Sequence, residues 1–536
     1  MKVNIYLLLL SLFLYQHISA QEVFYQDVFS GGVTGAGFST CQGAGEGNIE
    51  IYIEPGSSIK KAFLFSYKIG TSSDYNGIKF NGNNIKFNSL TQITPNINNF
   101  VTEAPFYSIH TIDVTNLVST TQTTYPVEIP PQFSNLNECP NCVYGALFLY
   151  VQYENNALNK TATQIVINTH ENTDITQITT NNLTPINTFD DVGFSIYSDR
   201  IKNYQQNDGT YLHINNNILG LIGGEDQVNA GFGCGVKGHF YYQNGTLFGL
   251  DDDIANTMVD GSDGLANISN FLTQLQTNLQ VKFELQTPNS HHSYSNFHLA
   301  YFLTYTSPCD TFSTTVTTDT TICYGEQLQL NATGGQSYNW IPITDTNSTD
   351  LSCTNCPNPI FSGDSSQVYT VRIWNNDSCS VVKPVRINVN HPAPVSFTTK
   401  NSLCIAPTGN IKIIADTSVA NNWNQWSAVT ASGDTVSQPS ETVFSQLGAG
   451  EYTVFYKNEY GCTSEDTVVT IEAINTVTAN FGVVPSSGAA PLEVIIDNQS
   501  QNASNYSWWL NNNSQPNPFT GFSTDTSGTY EIQLIA

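Results

Sequence analysis

The chain has 536 residues, enough for three or four domains with buried cores. Its 17 Lys and Arg against 44 Asp and Glu give a formal net charge of −27, which excludes a general nucleic-acid or anionic-membrane binder, since both need clustered cations. Charged residues make up only 11%, so Asn, Thr, Ser and Gln carry the solubility, while 40% hydrophobic and 12% aromatic residues exclude wholesale disorder.

In chain order, Met1 to Ala20 reads as a secretory leader. Lys2 gives the positive start, Ile5 to Tyr15 an apolar run too short to span a bilayer, and Ile18-Ser19-Ala20 a small-residue cleavage site before Gln21. No later stretch is long and apolar enough for a spanning helix, so the expected location is extracellular or at the cell surface. Eleven cysteines suit such an oxidising compartment, and the odd total leaves at least one without a partner in this chain.

Residues 21–308 run as short stretches of alternating apolar and polar positions, divided by Asn, Gly, Pro and Ser. Ile49 to Ile53, Ala62 to Tyr67, Gly145 to Tyr153, Gln164 to Asn168, Gln280 to Leu285 and His298 to Thr304 are predicted strands. Helical spacing is scarce. Gly264 to Gln276, with Leu265, Ile268, Leu272 and Leu275 on one face, is the helix the pattern predicts. This stretch of the chain is expected to form one or two β-sandwich lobes.

The candidate chemistry of this region is thin. Asp251, Asp252, Asp253, Asp260 and Asp263 form an acidic cluster among Gly and Ser, a donor set suited to a structural Ca²⁺ site, although the EF-hand spacing is absent and a solvated acidic loop is the competing reading. No other cofactor is expected. His291, His292 and His298 fit no helix or zinc signature and are read as surface histidines. Gly233-Cys234-Gly235-Val236-Lys237-Gly238 satisfies GxGxxG but lacks the following helix, so a dinucleotide site is rejected. No HExxH or GxSxG occurs; paired glycosidase carboxylates need no fixed spacing and stay open.

Composition shifts near Ser307-Pro308-Cys309, and the chain then repeats itself. Tyr369 and Tyr452, Cys379 and Cys462, and Trp340 and Trp423 all share one offset, with Cys323 and Cys404 close to it. Each repeat is read as a small sandwich holding a packed Trp and a disulfide, Cys323–Cys379 and Cys404–Cys462, each closing a long loop worth about 4 kcal/mol. Cys139-Pro-Asn-Cys142 and Cys353-Thr-Asn-Cys356 have the spacing of zinc-ribbon halves but lie in different domains, and are read as short disulfide loops. Cys41, Cys234 and Cys309 are left unassigned. Trp508 and Trp509 are adjacent, so on a strand they face opposite ways.

Thr321 to Leu330, Tyr338-Asn-Trp340, Cys353 to Pro359 and Tyr369-Thr-Val resemble the Ig-like repeats of secreted Bacteroidota proteins, which include gliding-associated adhesins and type IX secretion cargo. Gly409 to Cys462, with Leu447 to Val454, is similar to an adhesin repeat of the same proteins. Phe481 to Ala536, with Pro485 to Leu492 and Gly528-Thr-Tyr530, is similar to a PKD domain, although the usual acidic turn reads Trp508-Trp-Leu-Asn-Asn-Asn513 and the chain stops inside an expected strand. Parts of 59–154 resemble an uncharacterised β domain of microbial surface proteins. The resemblance implies an all-β string: a leader over 1–20, an N-terminal β-sandwich module over 21–308, Ig-like sandwiches over 309–392 and 393–475, and an incomplete PKD domain over 476–536. It further implies a non-enzymatic protein that binds an extracellular glycan or surface protein through its N-terminal module, with the repeats as spacers. A secreted polysaccharide hydrolase with accessory modules is the alternative.

Overall fold

The computed structural model describes residues 23–38, 45–69, 75–94, 97–98, 106–130, 143–144, 147–168, 175–199, 210–222, 240–249, 265–285, 297–345, 349–375, 379–392, 396–403, 406–414, 423–438, 443–458, 460–474 and 477–536. They are all-β, and divide into two compact units, Met1–Val389 and Asn390–Ala536.

The first unit is organised by one long strand, Val23–Phe38. Its first half pairs antiparallel with Lys160–Ile167, and its second half, from Gly31 on, with Leu147–Glu154. The change of partner falls at Gly31-Gly32, where no side chain fits: a Cβ on Gly31 would lie 2.0 Å from the Tyr153 carbonyl oxygen, and one on Gly32 2.3 Å from the Tyr153 hydroxyl. Each half therefore belongs to its own sandwich lobe. In one lobe, Ser58–Ile69 and Leu147–Glu154 are covered by the four-stranded sheet of Gly45–Glu50, Thr124–Ile129, Tyr75–Phe80 and Asn83–Phe87, around Ile49, Leu64, Phe80, Tyr125 and Leu149. In the other, Lys160–Ile167, Phe297–Thr306 and Val192–Asp199 are covered by Ile175–Thr180, Leu279–Leu285, Thr210–Ile214 and Asn217–Ile222, around Val166, Ile196, Leu212, Val281 and Leu303. Aromatic side chains fill the space behind the shared sheet, with Phe302 stacked on Phe148 and Tyr150 at 4.6 and 5.3 Å.

The helix predicted over Gly264 to Gln276 does not form. Leu265–Asn267 is a short strand, Ser269–Phe271 one 3₁₀ turn, and the rest of the described segment is irregular. Its polar side chains compete for the backbone: Asn267 accepts from the Ser269 N–H and Gln276 from the Thr273 N–H, so the α-helical bonds have no advantage. The strand predicted over Ile49 to Ile53 ends at Glu50, while the other five predictions coincide with strands apart from their ends.

Residues 309–389 are part of this same unit, not a separate bead. The repeat has its own core around Trp340, whose indole N–H donates to the Cys356 carbonyl at 2.9 Å, with Phe361, Tyr369 and Val371 beside it. Yet Ile343 and Val368 are built into the aromatic core of the lobes, and Cys379 and Val382 into the core of the second lobe. The predicted pairing Cys323–Cys379 is corrected here: Cys379 bonds Cys309, at the joint between lobe and repeat, with Cα atoms 5.9 Å apart. Cys309 and Cys379 are both packed into the core of the second lobe, which brings their sulfurs together. Cys323 is disulfide-bonded as well, Cys353 bonds Cys356, and Cys462 is also oxidised. Cys404, Cys139 and Cys142 lie outside the described residues.

Polar contacts complete the joint. Asp27, on the long strand, accepts from the Lys383 ammonium at 2.7 Å and the Tyr25 hydroxyl at 2.9 Å, with Lys60 at 3.9 Å. The Asp27 side chain is 7% exposed and that of Lys383 18%. Burial alone would raise the Asp27 carboxyl, but the Lys383 and Lys60 ammonium groups overcome it and hold the group below its ordinary value. Gln26 donates to the Ser380 carbonyl at 2.7 Å, Arg372 to the Asn182 carbonyl, and Arg386 to the Thr111 carbonyl at 3.2 Å. The repeat thus grips both lobes and the strand they share.

The second unit holds two smaller cores. In the second repeat Trp426 is fully buried, tilted against Tyr456 at 4.8 Å. Trp423, which the repeat offset selects, starts the same strand with its backbone opposite Asn458. Over 477–536 the three-stranded sheets Phe481–Val484, Leu492–Asn498, Gly521–Thr524 and Asn513–Gln515, Ser507–Leu510, Ile532–Ile535 enclose Trp508, Phe519 and Ile496, while Trp509 is part-exposed.

Candidate functional site

Most residues singled out by their chemistry fall outside the described residues: Asp251, Asp252, Asp253, Asp260, Asp263, His291, His292 and the GxGxxG stretch. His298 lies on Phe297–Thr306 with its backbone opposite Ser198. Among the described residues no three or more His, Cys, Asp or Glu group as metal ligands, and no helix is long and apolar enough to cross a membrane.

Two histidines that spacing did not flag take up structural positions. His110 is buried between the Thr91 and Ser108 hydroxyls, and burial with the nearby Lys68 pushes it down to about 3. His213 meets Glu284 at 3.0 Å; burial and the neighbouring Lys282 keep it below the usual imidazole value. A cleft of about 340 Å³ between the first lobe and the repeat holds the carboxylates Asp113 and Asp319, but each already faces a cation, Lys61 at 2.5 Å and Arg386 at 3.4 Å. Although burial opposes it, Lys61 and Thr115 hold Asp113 below its ordinary value, the opposite of what a general acid needs. A second cleft, of about 550 Å³, lies over 483–532 and is lined by Ser, Thr and Gly with Leu492, Phe522 and Tyr530, without a charged side chain.

Among the described residues, the end of the second lobe, where three connections meet, presents exposed apolar side chains. Phe189 stands there 86% exposed and Leu275 51%. Leu275 has φ +62°, a left-handed conformation that branched side chains avoid at a cost of about 1 kcal/mol. Neither loop is loose. The Thr188 N–H and hydroxyl both donate to Gln274 at 2.6 and 2.7 Å, the Leu275 N–H donates to the Ile186 carbonyl at 2.8 Å, and the Ile186 N–H donates to the Gln276 carbonyl at 3.1 Å. Asn215, from the third connection, donates to the Phe271 carbonyl at 3.1 Å. Asp190 and Asp191 flank Phe189, and the donors that reach them are neutral: Asn187 to Asp190, Asn267 and the Leu247 N–H to Asp191. A rigid apolar knob with an acidic flank is the geometry of an interface anchor. Sequence patterning missed it because Phe189 sits in a polar stretch with no period.

No family model matches the sequence, and no curated protein matches it. Similar solved structures are modular extracellular chains. They include extracellular domains 3–5 of Drosophila OTK (12% identity, 38% of this chain and 79% of that one, TM-score 0.13) and the FN1–FN3 domains of chicken CNTN1 (11% identity, 41% and 91%, TM-score 0.16). The N-terminal eight Ig domains of DSCAM align over 90% of this chain and 65% of that one, at 8% identity and TM-score 0.19.

Proposed function

We propose that the protein is a secreted or surface-displayed adhesion module that works by binding, not catalysis, and that its two-lobed head makes the contact. The observation that carries this reading is Phe189, held almost fully exposed on a hydrogen-bonded loop beside a strained Leu275. An exposed aromatic on a rigid support loses little conformational entropy on binding, which suits it to anchor a complex. The acidic flank fits a protein partner whose apolar pocket is rimmed by Lys or Arg. Disulfides at Cys309–Cys379 and Cys353–Cys356 suit an oxidising, extracellular setting. The second repeat and the PKD-like domain act as spacers in this reading.

Attachment of beads coated with the full chain to cell layers tests it. Phe189→Ala should reduce attachment about tenfold, equivalent to 1.4 kcal/mol. Raised salt should weaken attachment further, and stripping surface proteins from the cells should abolish it. Attachment unchanged in Phe189→Ala refutes the reading.

A further inference from the structure

Elsewhere in the first unit, three aromatic rings from two separate segments pack against one another. Tyr241 lies 4.4 Å from Phe248 at 8° and 4.5 Å from Tyr52 at 37°, so it is the middle ring. Tyr241 and Phe248 are directly opposed on the hairpin Phe240–Gln243 and Thr246–Gly249, an arrangement that strand pairing alone accounts for. Tyr52 is different. It comes from the segment after Gly45–Glu50, and its N–H is tied to the Thr34 hydroxyl at 3.3 Å, whose own backbone lies opposite Tyr241. All three residues keep part of their surface in solvent.

The perimeter is polar and ordered. The Tyr52 hydroxyl donates to Glu54 Oε2 at 2.6 Å, and the Gln243 amide donates to the same oxygen at 3.2 Å. The Tyr153 hydroxyl in turn donates to Gln243 Oε1 at 3.1 Å. Among the described residues both donors to Glu54 are neutral and both address Oε2, which leaves Oε1 to accept from a ligand. The hydrogen bond to Glu54 also lifts the Tyr52 phenol to about 12, so its proton stays in place at any physiological pH.

We infer that Tyr52 and Phe248, braced by Tyr241 between them, form with Glu54 and Gln243 a binding site for a neutral oligosaccharide. A pyranose has an apolar C–H face, which packs on an aromatic ring, and an equatorial rim of hydroxyls, which needs fixed acceptors and donors such as a carboxylate and an amide. The carboxylate disfavours uronic and sulfated sugars by charge repulsion. The site uses residues other than Phe189 and Leu275, so the two proposals are tested separately, although the Leu247 N–H ties this hairpin to Asp191 at 2.9 Å.

Titration calorimetry of the full chain with cellohexaose, laminarihexaose, mannohexaose and hexagalacturonate tests the assignment. At least one neutral hexasaccharide should bind with a dissociation constant of about 1 mM or tighter, and hexagalacturonate about tenfold more weakly. Phe248→Ala should weaken the neutral ligand about tenfold. Tyr52→Phe and Glu54→Gln, which disturb packing least, should each weaken it severalfold, and Glu54→Gln should narrow the gap to hexagalacturonate. No heat with any neutral hexasaccharide overturns the proposal. So does unchanged affinity in Glu54→Gln and Phe248→Ala variants whose urea melts match the parent.

Discussion

Asp27 and Lys383 place a charged pair where water is nearly excluded, and such a pair is costly to break from one side. Asp27→Ala leaves the Lys383 ammonium buried without its carboxylate, and should cost about 3 kcal/mol, read as a fall in the urea midpoint of the head. The folded Asp27 carboxyl titrates below its ordinary 3.8, so the native state binds fewer protons than the unfolded chain in that window. The pair's contribution is therefore whole above about pH 4 and is lost as the pH drops through the folded value. Urea midpoints measured down to pH 2 should fall more steeply in the parent than in Asp27→Asn. Leu275 makes the opposite point. Because its side chain is half-exposed and its backbone is left-handed, Leu275→Gly should leave the urea midpoint unchanged or raised while lowering bead attachment.

Among the elements, the strand Val23–Phe38 and the Cys309–Cys379 bond decide the architecture. Gly31→Val drives a side chain into the Tyr153 carbonyl and should prevent the two lobes from sharing a strand, seen as loss of cooperative unfolding by near-UV circular dichroism. Removing Cys309 and Cys379 together opens a loop spanning 70 positions and should cost about 4 kcal/mol, with the melt under reducing conditions as the control. Strand content was legible in the sequence because stretches such as Ala62 to Tyr67 alternate with period two, although this strand is buried on both faces, with Ala62 and Leu64 in one core and Phe63 and Phe65 in another. The joint was not. Lys383, Arg386 and Arg372 on a strand look like solvent-facing charges, and their partners Asp27, Thr111 and Asn182 lie hundreds of positions away. The offset that links Trp340 to Trp423 is a signal of a different kind. It marks the repeat, while Trp426, three positions on, is a packed side chain that the offset does not select. Phe189, the residue on which the proposed contact depends, carries no pattern at all.

At the scale of the whole molecule, the first repeat changes role. A string of independent sandwiches would let residues 309–389 be exchanged without consequence for the lobes before them. Instead, the repeat contributes Ile343, Val368 and Val382 to cores built mainly by residues 23–306, and satisfies the buried polar groups of Gln26 and Asp27. Removing it exposes apolar surface and leaves a buried carboxylate without its nearer cation. The direct measurement is the urea unfolding of residues 21–389 beside residues 21–308. The longer fragment should unfold in one cooperative transition, and the shorter should show a lower midpoint or none. Equal midpoints with equally sharp transitions would contradict a head built from two lobes and a repeat together.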